Sequence, residues 1–131
     1  MTDALVTILH ARLDEDEQVA RAAHAPNWST DGRRGLHYGV EDGWMTDALT
    51  TSDADHIARQ NPARILREVE AKRRIAERHS PHSMGSCRTC ERPHWGVQVC
   101  NHCERAAPCP DLRDLATVYA DHPDYLAEWR P

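Results

Sequence analysis

All five cysteines of the chain fall within 23 residues near its C-terminal end. They read C-R-T-C, nine residues, C-N-H-C, five residues, C, and number Cys87, Cys90, Cys100, Cys103 and Cys109. A two-residue gap lets both thiolates of a tight turn face one ion, so two metal knuckles are expected here. Whatever the rest of the chain does, it must fold around a segment that gathers sulfur. The rest needs that help. At 131 residues the chain suits one domain, residues 1–131, with a modest core. It has no Phe and only 5% aromatic residues, so Leu, Ile, Val and Ala must build that core. A bound metal would staple such a chain, because its binding free energy becomes folding free energy.

The expected location is the cytosol. The opening M-T-D-A-L-V-T lacks a basic leader region, and no apolar run is long enough to span a bilayer. In the cytosol, clustered cysteines are more often metal ligands than disulfides. Charge is unevenly spread. Residues 1–60 carry 11 acids and 5 bases, 61–92 carry 4 and 8, and 93–131 carry 6 and 3, for a net −5. That balance argues against a general nucleic-acid binder and leaves only the middle segment with a basic face.

The chain reads as mainly α, with a small β-hairpin and a knuckle element. Residues 1–79 form a helical part, 80–109 the metal-binding segment, and 110–131 a last helix and tail. Leu5, Leu9, Leu13 and Ala20 recur at helical spacing and predict a helix over 3–23. Residues 24–51 hold four of the six glycines and predict a loop or hairpin closing at Asp42-Gly43. Ser52 is the expected cap of a short helix over 53–60. Asn61-Pro62 then caps and starts a helix over 62–79, with Ile65, Leu66, Val69 and Ala76 on its apolar stripe. On that helix Arg64, Arg67, Arg74 and Arg78 group away from the stripe, a face that could lie along a phosphate backbone or simply be solvated. A short strand pair is expected over 94–99, between the two knuckles. Pro110 opens a helix over 110–119, and a turn over 123–129 packs Tyr125 and Trp129 back on the body.

Three ligand sets compete. The two knuckles give Cys87, Cys90, Cys100 and Cys103, a sulfur tetrahedron suited to structural zinc. A second set is His79, Cys87, Cys90 and Cys109, which joins the end of one helix to the start of the next. There the helix start would favour a Cys109 thiolate and make it a redox thiol. The third is an iron–sulfur cluster: Cys100-x2-Cys103-x5-Cys109 resembles the cysteine run of WhiB-like regulators, with Cys87 or Cys90 as fourth ligand.

Longer matches point elsewhere. L-x-x-R-L-D-E-D-E at Leu9–Glu17, the run from Asp55 to Ile75, C-P-D-L-R-D-L-A at Cys109–Ala116 and Y-A-D-H-P-D-Y-L-A-E-W-R-P at Tyr119–Pro131 cover about two-fifths of the chain. They resemble a family of small actinobacterial and actinophage proteins classed as a domain of unknown function. The resemblance implies no activity. It does imply the ligand set His79, Cys87, Cys90 and Cys109, from which this chain departs by carrying the extra pair Cys100 and Cys103.

The motifs G-x-S-x-G, P-loop and H-E-x-x-H do not occur, and no catalytic residue is assigned. The leading expectation is a small cytosolic zinc-stabilised binding or regulatory protein that acts through a surface, with a protein as partner. Nucleic acid on the Arg64–Arg78 face is the other partner weighed. One alternative is a redox-responsive zinc or iron–sulfur regulator, since His82-x4-Cys87-x2-Cys90 runs one residue longer than the H-x3-C-x-x-C of zinc-containing anti-sigma factors. The other is a metal-dependent nuclease or hydrolase.

Overall fold

The leucines that recur every four residues along the first segment do what that spacing demands. Helix α1 spans Thr2–Ala22, and Leu5, Leu9 and Leu13 on its one face are fully buried. The structure, a computed structural model, describes residues 2–39, 43–82, 99–100, 102–103 and 105–131. Among these it contains four α-helices, two small antiparallel sheets and a closing 3-10 turn. This is the mainly α architecture expected, and no described helix is long and apolar enough to cross a membrane. By contacts the chain divides into two compact units, one of residues 14–70 and one of residues 1–13 with 71–131.

In the first unit, β1 (Ser29–Thr30), β2 (Gly35–His37) and β3 (Trp44–Asp47) form a sheet in that order. β2 and β3 pair antiparallel as the expected hairpin, and Tyr38 donates its N–H to the Gly43 carbonyl at 2.9 Å; Asp42 of the expected closing turn lies outside the described residues. β1 was not expected, because two residues carry no period. The Asp31 side chain makes it pair: its carboxylate accepts the N–H groups of Arg33 and Gly35 and so folds the β1–β2 turn. A Cβ at Gly35 would run into the same carboxylate and push it from its place in the turn.

Helix α2 (Thr51–Arg59) lays Ala54 and Ala58 on Leu36 to form a small core, with Met45, Ala48 and Ile57 around it. Its cap is Thr50 and not Ser52, for the Thr50 hydroxyl accepts the Asp53 N–H at 3.0 Å. Helix α3 (Pro62–Arg78) starts as the sequence indicates: Asn61 Oδ1 accepts the Arg64 N–H at 3.0 Å, and Pro62 needs no donor partner.

In the second unit, β4 (Pro81–His82) pairs antiparallel with β5 (Val99–Cys100). The strand pair expected over 94–99 falls outside the described residues except for Val99, which lies in β5. Helix α4 (Pro110–Thr117) buries Leu112 and Ala116. The 3-10 turn Ala127–Trp129 returns to it: Trp129 is buried, stacks edge-on with Tyr125 at 5.7 Å, and Arg113 donates to the Glu128 carbonyl at 2.7 Å.

Candidate metal centre

His79 follows directly on α3, and its N–H still bonds back to the Ile75 carbonyl at 3.0 Å, so the helix fixes where the imidazole starts. Two residues later Pro81 pairs with Cys100, and this short ladder brings the sulfur of β5 to the helix end. Beyond Cys100 the chain turns back on itself. The Cys100 N–H reaches the Arg105 carbonyl at 2.8 Å, and Val99 bridges to Ala106. Inside that turn the N–H groups of His102 and Cys103 both point at the Cys100 sulfur, each at 3.5 Å. This is the geometry that makes a C-x-x-C turn a knuckle, since both amides stabilise charge on the first sulfur. Cys109 stands at the N-cap of α4 with extended backbone, ahead of Pro110.

These local structures converge. The ligand atoms of His79, Cys100, Cys103 and Cys109 all lie within 4.8 Å of one another. Nδ1 of His79 is 3.4 Å from the Cys100 sulfur and 3.4 Å from the Cys109 sulfur. Tetrahedral zinc with ordinary Zn–N and Zn–S bonds would set neighbouring donors roughly 3.6 Å apart, so the donor types suit that ion and the two His79–sulfur distances lie near that spacing. His79, Cys100 and Cys109 are buried and Cys103 is half-buried.

Two neighbours complete the surroundings. Asp111 Oδ2 lies 3.3 Å from His79 Nδ1 on a half-exposed side chain. The ring of His102 stands edge-on to that of His79 at 4.9 Å, and His102 itself is exposed. Asp111 was not singled out in the sequence. Its place two residues after Cys109, in the first turn of α4, was the available signal.

The two buried thiols are not alike. Burial alone would raise Cys100, but the N–H groups of Cys103 and His102, with the neighbouring thiols, outweigh it and its pKa falls below the ordinary thiol value. Burial pushes the Cys109 thiol up to about 12, and the charge at Cys100 and Cys103 adds to the rise against the pull of the Leu112 amide. The start of α4 was expected to lower Cys109; burial beside other sulfurs wins instead. Crowded thiols of this kind need a cation to ionise together.

The gathered set takes Cys100 and Cys103 from one expected ligand set, and His79 and Cys109 from the other. Cys87 and Cys90, common to both, lie outside the described residues, as does the side chain of His82. The four arginines of the basic face, Arg64, Arg67, Arg74 and Arg78, are each exposed on α3, with Arg64 paired to Glu68 at 2.8 Å. No curated protein and no solved structure matches the chain. One family does match, over residues 2–131 and thus almost the entire sequence, and the chain belongs to it: DUF6221, a family of unknown function.

Proposed function

We propose that this protein is a zinc-stabilised binding module, in which a structural ion held by His79, Cys100, Cys103 and Cys109 fixes the surface that a partner reads. The observation that carries this reading is the convergence of four soft and borderline donors within 4.8 Å. Three thiolates and an imidazole favour zinc over hard cations. Four protein ligands leave no open coordination position, which suits a structural ion and not a catalytic one. Elemental analysis tests the ligand set. The purified protein should carry one zinc per chain, the Cys100→Ser/Cys103→Ser double variant should lose it, and the Cys87→Ser/Cys90→Ser variant should keep it. Loss of zinc from the second variant, with retention in the first, would falsify this set.

The partner we infer is a protein. The net charge of −5 disfavours a phosphate polyanion, whereas Trp44 at 62% exposure and Leu49 at 86% offer apolar contacts of the kind protein interfaces use. We expect no salt-dependent retention of the protein on DNA or RNA in gel-shift titrations. Binding that disappears when Arg64, Arg67, Arg74 and Arg78 are all changed to Gln would instead make the partner a nucleic acid.

A further inference from the structure

We propose that the metal centre is a thiol switch: a peroxide oxidises Cys103 and Cys100 to a disulfide and thereby expels the ion. The inference rests on the metal-bound reading above and adds to it a means of regulation. It starts from an asymmetry among the ligands. Cys100 and Cys109 are fully buried, while Cys103 is half-buried, so a small oxidant meets the Cys103 sulfur first. The second thiol must then be close, and on an element able to follow.

Cys100 meets both conditions. It shares one tight turn with Cys103, and its sulfur is held on the inside of that turn by the N–H groups of His102 and Cys103. The two sulfurs lie within 4.8 Å and need to approach to about 2.05 Å, a short movement within a single turn. Cys109, by contrast, is anchored at the start of α4 and stays with His79.

The electrons balance in two steps. The Cys103 thiolate attacks one peroxide oxygen, the O–O bond breaks, and hydroxide leaves to be protonated to water, which places a sulfenic acid on Cys103. The Cys100 thiolate then attacks the Cys103 sulfur. The S–S bond forms, the S–O bond breaks, and a second hydroxide leaves as water. Two electrons pass from the two thiolates to the peroxide. The ion is left with His79 and Cys109 alone, too few donors to retain it against a chelator.

The test uses the full, zinc-loaded chain, first assayed for zinc, then exposed to hydrogen peroxide in the presence of a chromogenic zinc chelator. Remaining thiols are alkylated and the disulfide is mapped by mass spectrometry on the unaltered sequence, so that no variant has to fold. The expected result is release of essentially all bound zinc together with a Cys100–Cys103 linkage, both reversed by dithiothreitol and added zinc. Zinc retained at excess peroxide overturns the switch. So does release accompanied by any other linkage, Cys87–Cys90 included. Absence of zinc before oxidation would instead refute the metal-bound reading itself, and the two failures are read at different stages of the experiment.

Discussion

On the proposed zinc-bound reading, treatment with a strong chelator is expected to abolish the protein's cooperative thermal unfolding, or to lower the midpoint by tens of degrees. Structural zinc binds thiolate and imidazole sets with an apparent free energy on the order of 10 kcal/mol. Whole domains are stable by only ~5–15 kcal/mol. The proposed ligands sit where loss of an ion would be felt most. They tie the end of α3, the β5 knuckle and the start of α4, in a unit whose described strands are two residues long. Without the ion, three sulfurs and an imidazole are left crowded together, with one of those thiols pushed up to about 12. A metal bound there would displace that proton, so its affinity would rise with pH and fall on acidification, by about tenfold per pH unit for each proton displaced. Calorimetry and far-ultraviolet dichroism with and without chelator, at two pH values, read both effects. A melting curve indifferent to chelator would remove the ion from any account of this fold.

The helices were legible because their signals are local. Leu5, Leu9 and Leu13 announce α1 by spacing alone, and Asn61-Pro62 announces the start of α3 by the conformations these residues favour. The cap of α2 was placed two residues too late: Ser52 was expected, but the helix begins at Thr51, and the Thr50 hydroxyl ahead of it accepts the Asp53 N–H. β1 was invisible because its pairing comes from the Asp31 turn and not from any alternation of its own. The candidate metal set was half legible for a different reason. Spacing identifies a knuckle, since both sulfurs of C-N-H-C lie on one turn. Spacing cannot say which distant residues meet it. That depends on Pro81 pairing with Cys100, a two-residue ladder that draws the helix end and its imidazole to the sulfur. The Cys109 thiol shows the same limit in energetic form. Its position at a helix start is readable from Cys-Pro, but the burial that reverses the expected shift is a property of the assembled site.

Leu9→Ala is expected to destabilise the protein by about 2–5 kcal/mol, whereas Leu49→Ala should fall within roughly 0.5 kcal/mol of zero. The two changes delete the same atoms from the same residue type, and differ only in where those atoms sit. Leu9 has no exposed surface and is flanked along its helix face by Leu5 and Leu13, also fully buried. Truncating it loses the transfer free energy of the removed carbons and leaves a cavity that its neighbours fill only in part. Leu49 is 86% exposed, so its removal returns almost nothing to water that water did not already touch. In a chain without Phe, few side chains can spread into a gap, which places Leu9→Ala toward the upper part of its range. Denaturant titrations of the zinc-loaded protein measure both values on one scale. If Leu9→Ala costs no more than Leu49→Ala, then α1 does not contribute its leucine face to the core, and the metal centre alone would have to hold the fold.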